Sequence, residues 1–110
     1  MIVRIVKMTF RPQEAERFQL LFEGWRHRIL ATPGCRTLEL LHDLKDPRVF
    51  FTRSVWEAEH HLEAYRRSAT FADVWPVVKK LFAAPAEAWT VQVEHHMHRS
   101  MAEDPTRPNA

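Results

Sequence analysis

The chain has 110 residues, of which 45% are hydrophobic and 27% charged, and its formal net charge is +2. This length accommodates one domain, and the composition is that of an ordinary globular protein rather than a disordered or collagen-like chain. Basic and acidic residues are interleaved instead of forming the basic patch typical of a nucleic-acid-binding protein, so we expect no nucleic-acid partner.

The cysteine content and the N-terminus bear on location. Cys35 is the single cysteine, which excludes an internal disulfide and is typical of a reducing compartment. The first residues lack the basic start, apolar block and cleavage site of a signal peptide, and no segment has the apolar length of a membrane span. We therefore predict a cytoplasmic protein without a membrane partner.

The hydrophobic pattern predicts alternating strands and helices. Runs rich in β-branched and aromatic residues predict strands over residues 1–10, 35–42, 49–56 and 88–95. Three-and-four spacing of apolar residues predicts helices over residues 13–31, 58–67 and 71–82, with Thr70 as a candidate N-cap of the last. Residues 83–87 are predicted to connect the last helix to the last strand. The order β-α-β-β-α(α)-β predicts an α+β, ferredoxin-like βαββαβ domain with a four-stranded antiparallel sheet, covering residues 1–96. Residues 97–110 are polar and predicted to be a disordered tail.

The first and third predicted strands are apolar on both faces. Ile5 and Val6 fall on opposite sides of the first strand, as do Phe50 and Phe51 on the third. Helices on one side of a sheet cover only one of its faces. The pattern therefore predicts that the other face packs against a second copy, giving a homodimer.

Several segments in this order resemble a known family. They are the strand from Ile2 to Phe10, the turn from Thr32 to Cys35, the strand from Phe50 to Trp56, the stretch from Leu62 to Ser68, and Phe71 with Trp75. Together they resemble the antibiotic biosynthesis monooxygenase (ABM) domain of the dimeric α/β-barrel superfamily over about residues 1–95. The resemblance implies a homodimer with a pocket in each subunit between sheet and helices.

The resemblance also implies an activity. Active members of the family oxidise quinols, anthrones or related aromatic compounds with molecular oxygen, without flavin or metal. The expected function is a cofactor-independent monooxygenase acting on a small hydrophobic or aromatic molecule. Haem-degrading relatives carry an asparagine where this chain has Val6 and a histidine where it has Trp75, so haem degradation is disfavoured.

Candidate site residues follow from the predicted elements and the resemblance. Tyr65 and Trp75 lie on helix faces predicted to point inward, where plain core packing is the alternative role. His42, at the end of the second strand, and Tyr65 are the candidates for assisting proton removal. The remaining predicted pocket residues are Val6, Met8, Phe51 and Arg53. Arg53 could balance an anion, or pair with Glu39 across the hairpin or with a dimer partner.

The sequence predicts no bound cofactor or metal. Gly24 and Gly34 are the only glycines, so a Gly-rich phosphate-binding loop cannot be built. The histidines at positions 60–61 and 95–98 lack the spacings of strong zinc motifs, so adventitious metal binding is the expected behaviour.

Two other functional classes remain open. A non-catalytic dimeric module that binds a small hydrophobic molecule needs the same pocket as a monooxygenase. RNA-recognition domains share the βαββαβ order, but the third strand lacks the glycine-type positions of their aromatic motif. The RNA-binding alternative is therefore the weaker of the two.

Overall fold

The computed structural model describes residues 1–99. Its elements are the strands β1 (Ile2–Phe10), β2 (Cys35–His42), β3 (Val49–Trp56) and β4 (Phe82–Gln92) and the helices α1 (Ala15–Leu30), α2 (Glu59–Arg66) and α3 (Ala69–Lys79). A short 3-10 turn, Pro12–Glu14, precedes α1. Among residues 1–99, none of the helices has the length and apolar character that crossing a membrane requires. The sequence predicts a disordered tail over residues 97–110. From residue 100 onward, this tail lies outside the described residues.

The four strands form one antiparallel sheet in the order β2-β3-β1-β4. The predicted α+β, ferredoxin-like fold is confirmed, and β2 and β3 have the bounds expected from the sequence. Because β1 and β3 occupy the centre of the sheet, their side chains dominate both of its faces. Val6 pairs with Thr52 and Ile5 with Arg53, and this register decides which residues share a face.

The sheet has two different faces. The covered face carries the even-numbered residues of β1 and β3 and, from Ala86 onward, of β4; it packs against the helices and contains the fully buried Phe10 and Phe50. Phe18 of α1 stacks on Phe10, with ring centroids 4.3 Å apart, and meets Phe50 edge-on at 5.5 Å. The open face carries the odd-numbered residues of these strands and has no helix upon it.

The fourth strand is longer than the sequence predicts. It begins at Phe82, so the predicted connector over residues 83–87 is wrong. Lys7 pairs with Glu87 and Thr9 with Ala84, leaving Pro85 and Ala86 opposite one residue of β1 as a bulge. A bulge on an edge strand tolerates proline, and it hides the alternation by which a strand is recognised.

The start of α3 also differs from the prediction. Ser68, rather than Thr70, is the N-cap, and its Oγ accepts a hydrogen bond from the Phe71 backbone N–H at 3.2 Å. The helix begins two residues earlier than predicted, which places Thr70 inside its first turn. The early start fixes the junction between α2 and α3 beside the site described next.

Candidate functional site

A partly enclosed cavity of about 210 Å³ lies between the covered face and the three helices. Three alternate residues of β3, namely Thr52, Ser54 and Trp56, form part of its floor. From α1 come residues spaced by four, three and four positions: Phe18, Phe22, Trp25 and Ile29. The period of two in the strands and the helical spacing in α1 therefore direct mostly apolar side chains into one space.

Aromatic rings from α2 and α3 form one side of the cavity. The ring of Tyr65 lies 5.2 Å from that of Trp56 and meets Phe71 edge-on at 5.4 Å. Phe71 in turn stacks on Trp75, one helical turn further along α3, at 5.8 Å. The Ser68 cap joins the two helices at the bend between Tyr65 and Phe71, so the local turn aligns rings from different helices.

Four of the residues predicted from the sequence lie around this cavity: Val6, Met8, Tyr65 and Trp75. Val6 and Met8 are alternate residues of β1 and point to the same face. Trp75 also meets Phe82 edge-on at 5.7 Å, which connects the helix to the start of β4. The fold thus brings together side chains that are separated by almost seventy positions in the chain.

The structure does not place Phe51 and Arg53 among the residues that line this cavity. Both are odd-numbered residues of β3 and lie on the open face, because successive side chains of a strand point to opposite sides. Arg53 pairs with Glu39 across the hairpin, Nη1 to Oε1 at 2.9 Å, which was one of its alternative roles. We leave both residues out of the candidate site.

His42 also lies outside the cavity lining. It is exposed, and its ring stacks on Phe50 with centroids 4.0 Å apart. Its Nε2 lies 2.9 Å from the Pro47 carbonyl oxygen, which only accepts, so Nε2 donates that hydrogen bond. The histidine therefore stabilises the β2–β3 connection, and we leave it out of the candidate site as well.

Sequence reasoning missed two cations beside the cavity, Arg4 and Arg66. Arg4 is half-buried, and its Nη1 donates a hydrogen bond to Thr90 Oγ1 at 2.8 Å. Burial lowers the pKa of Arg4, the charge of Arg66 lowers it further, and Glu63 acts in the opposite direction. The parity of β1 could have identified Arg4, since it shares a face with Val6, but an arginine among apolar residues is usually interpreted as a surface residue.

Tyr65 has a perturbed hydroxyl. Burial, with a smaller effect of Cys35, raises its pKa to about 12. Within residues 1–99 the hydroxyl makes no hydrogen bond to protein, and no fully buried side-chain oxygen or nitrogen lacks a partner, so solvent reaches this oxygen. Tyr65 is therefore a neutral hydrogen-bond donor near pH 7. It does not serve as a base there, because only the deprotonated phenolate could accept a proton from a substrate.

Among residues 1–99, those that line the cavity include no carboxylate and no imidazole, and the ionisable side chains among them are Arg4, Tyr65 and Arg66. Such a site offers hydrogen-bond donors and positive charge in an apolar setting, which favours the anionic form of a bound molecule. Across the described residues, no cluster of three or more His, Cys, Asp or Glu side chains has the arrangement of a metal site.

Comparison with solved structures supports the assignment of the fold. A Nitrosomonas europaea protein assigned to the antibiotic biosynthesis monooxygenases is 18% identical, with a TM-score of 0.80 over 86% of this chain and 100% of that one. Rv0793 from Mycobacterium tuberculosis is 16% identical, with a TM-score of 0.80 over 88% of this chain and 98% of that one. SnoaB, a cofactor-independent oxygenase from Streptomyces nogalater, is 12% identical, with a TM-score of 0.79 over 89% of this chain and 97% of that one. These identities establish a shared fold and no shared activity.

Comparison by sequence gives the family. No curated protein sequence matches the chain at the significance required. The family model for antibiotic biosynthesis monooxygenase matches residues 1–75, which is more than half of the chain. These residues include β1, β3, α2 and most of α3, and therefore most of the elements around the cavity. The protein belongs to the antibiotic biosynthesis monooxygenase family.

Proposed function

We propose that the protein is a cofactor-independent monooxygenase that oxidises a small aromatic or quinol-like compound with molecular oxygen. The observation that carries the proposal is the aromatic cavity, whose described lining supplies hydrogen-bond donors and positive charge. Membership of the family supports the reaction class. The volume supports the substrate size, since a cavity of about 150 Å³ accepts benzene and this one, at about 210 Å³, is larger.

The chemistry asks little of the protein. An anthrone or quinol loses a proton to water, and its electron-rich anion transfers electrons to dioxygen. For an anthrone, the CH₂ carbon gains one oxygen atom and becomes a carbonyl, while the second oxygen leaves with the two hydrogens as water. The site accelerates this reaction if it stabilises the anion more than the neutral substrate.

We assign to Tyr65 the role of stabilising the substrate anion. Because its pKa is raised to about 12, the hydroxyl keeps its proton at neutral pH and donates a hydrogen bond. A donor held in an apolar, partly enclosed site is worth more than the same donor in water. This role replaces proton abstraction, for which its pKa is unsuitable.

Oxygen consumption with a panel of quinols and anthrones tests the proposal. We expect turnover by the wild-type protein, and a loss of about tenfold to a hundredfold in kcat for Tyr65→Phe, with a smaller change in KM. Thr32→Val, which removes a hydroxyl outside the cavity lining, is the matched control and should retain full activity. An equally large loss for His42→Ala would contradict the assignment to the cavity and favour proton transfer by the histidine.

The alternative is a non-catalytic module that binds an apolar molecule in the same cavity. Tight binding of an anthrone or quinol without oxygen consumption would favour this alternative over the monooxygenase.

A salt-dependent affinity for single-stranded RNA would instead support the nucleic-acid alternative.

The proposal includes a homodimer formed through the open face. Val3 and Val49 are buried there, Ile5 and Phe51 are partly buried, and Trp89 is 46% exposed. Two cross-strand ion pairs, Lys7–Glu87 and Glu39–Arg53, occupy the same face. An apolar surface with internally neutralised charges suits a two-fold interface, because each copy presents the same surface to the other.

We also propose a cytoplasmic location. Cys35 is half-buried and has a free thiol, and burial raises the pKa of this thiol. A free thiol of this kind persists most readily in a reducing compartment. Cell fractionation with the protein in the soluble fraction would support this location, and recovery in a secreted fraction would contradict it.

A further inference from the structure

One part of the cavity lining is positively charged. Arg4 of β1 and Arg66 of α2 both line the cavity, although almost all of the other lining residues are apolar. Arg66 and Ala88 are exposed, so they mark where the cavity meets solvent. Arg4 lies on β1, the strand that pairs with β4, and its guanidinium donates a hydrogen bond to Thr90.

Arg4 differs from Arg48 and Arg53, the other arginines that are partly buried among residues 1–99. Six arginines, including those two, lie within 4.0 Å of a carboxylate, in the pairs Arg11–Glu14, Arg28–Asp73, Arg36–Glu57, Arg48–Asp46, Arg53–Glu39 and Arg66–Glu63. In the part of the chain that the structure describes, no carboxylate oxygen lies that close to Arg4. Arg66 has Glu63 at 3.5 Å, one turn away on α2. The Glu63 charge also favours the charged form of Arg4, but its effect is smaller than the opposing effect of Arg66, so positive charge predominates around Arg4.

The sheet itself offers Arg4 no compensating charge. Its direct cross-strand neighbours on the covered face are Ser54 and Thr90. The next positions on that face of β3 are Thr52 and Trp56, and those on β4 are Ala88 and Gln92, all of them uncharged. A partly buried guanidinium with no carboxylate within 4.0 Å lowers the stability of a protein, and a bound anion would reduce this destabilisation.

Arg4 also retains donors for a ligand. A guanidinium has five N–H groups, and one hydrogen bond, to Thr90, holds its orientation. The planar fork that remains matches the two oxygens of a carboxylate, and a charge-assisted pair of this kind is stronger than a neutral hydrogen bond. The charge of Arg66 adds to the attraction, in keeping with the pKa of Arg4 being lowered in its presence.

We propose that the substrate is an aromatic compound that carries a carboxylate, with its rings in the apolar cavity and its carboxylate on Arg4 beside Arg66. This inference rests on the proposed function only in taking the cavity as the substrate site. It separates two roles, since Arg4 binds a permanent anionic substituent and Tyr65 stabilises the charge that develops on the ring. A two-ring carboxylate is the smallest probe that uses both parts of the site.

Two probes with the same ring system test the inference: naphthoate, which is anionic, and naphthalenemethanol, which is neutral. Isothermal titration calorimetry on the full chain should show naphthoate binding about tenfold more tightly at low salt, as expected for a hydrogen bond to a charged group. Added salt should reduce this preference because the site meets solvent. Equal affinities of the wild-type protein for the two probes would overturn the inference without any variant.

Two variants identify the arginine. Arg4→Met, which keeps the aliphatic stem, should bring the preference to within about twofold while leaving the affinity for naphthalenemethanol unchanged. Arg17→Met, which removes an exposed arginine of α1 outside the cavity, is the matched control and should keep the preference. A preference that survives Arg4→Met would overturn the assignment to Arg4.

The same measurements separate this inference from the proposed function. An Arg4-dependent preference for naphthoate, in a protein that consumes no oxygen with any quinol or anthrone, would support the inference and contradict the monooxygenase proposal. Turnover of neutral anthrones without any preference for carboxylated analogues would support the monooxygenase and overturn the inference.

Discussion

The two faces of the sheet contain the same kinds of residue and differ in what covers them. Phe50 and Phe51 are adjacent in β3, yet Phe50 is fully buried against the helices whereas Phe51 lies on the open face and is only partly buried. On the covered face the helices leave a cavity lined by aromatic rings. The open face carries exposed apolar residues such as Trp89 and Val91, together with two ion pairs.

This difference suggests separate roles for the two faces: substrate binding on the covered face and dimer formation on the open face. The covered face packs against three helices, and incomplete filling of the space between the two layers leaves a cavity of about 210 Å³. The open face is a sheet surface without such layers, so it suits a flat partner such as its own copy. Substitutions on the two faces should therefore change different measurable properties.

The largest effect is expected on the open face. Replacing both Trp89 and Val91 with Glu places two charges in the proposed interface and should abolish the dimer, because an unpaired buried charge is strongly unfavourable. Both side chains are about half exposed within one chain, at 46% and 45%, so the subunit should still fold. Sedimentation should give 13.0 kDa for this variant and twice that mass for the wild-type protein.

The matched control replaces Leu20 and Leu30 of α1 with Glu. These leucines are also exposed, at 65% and 44%, but they lie on a helix away from the open face. The control should remain a dimer. A wild-type protein that sediments as a monomer at micromolar concentration would contradict the proposed interface.

The next effect compares Phe50 with Phe51. In the monomeric double-Glu background, Phe50→Ala should lower the free energy of unfolding by about 3–5 kcal/mol, because it opens a space in the core beside Phe10 and Phe18. Phe51→Ala should cost clearly less in the same background, since its side chain is only partly buried there. Urea unfolding gives both values, and equal losses would mean that the two faces are equally covered within one subunit.

The smallest effect concerns the titration of Tyr65 on the covered face. Since its pKa is raised from 10.0 to about 12, the folded state favours the neutral phenol. This contribution to stability, on the order of 2 kcal/mol, is complete below pH 10 and is lost as the pH rises through about 12. Tyr65 is the only tyrosine, so its ultraviolet absorbance reports the titration directly.

Tyr65→Phe is the control for this titration, because it lacks the ionisable group and should lose less stability over the same pH range. An absorbance titration of the native protein with a midpoint near 10 would contradict the raised pKa of the hydroxyl. It would also weaken its proposed role as a donor that stays protonated.

Much of the fold could be predicted because local patterns and tertiary structure agree. The strand over residues 49–56 is bounded by turn residues and rich in aromatic and β-branched side chains, and its observed bounds match. The helical spacing from Phe18 to Ile29 identifies α1 and the face that it buries. The strand β4 was mispredicted at its start because a bulge with Pro85 interrupts the alternation.

The candidate site was harder to predict, because the direction of a strand residue depends on register. Val6 and Met8 were placed on the covered face, but Phe51 and Arg53 were assigned to the same pocket although β3 presents Thr52 and Ser54 there. A one-residue change in parity moves every side chain to the other face. Nothing in the sequence around Arg53 distinguishes it from an arginine that faces a ligand.

The sequence by itself determined the order of the elements, the apolar character of both faces of β1 and β3, and the family resemblance. The first two follow from local periodicity and composition, which act over a few residues at a time, whereas the resemblance depends on particular segments and their order. Only the tertiary structure decided which face holds the cavity, that Arg4 meets Thr90 across 86 positions of the chain, and that Tyr65 is buried enough to stay protonated. Those outcomes depend on strand register and on burial by distant segments, which no local pattern specifies.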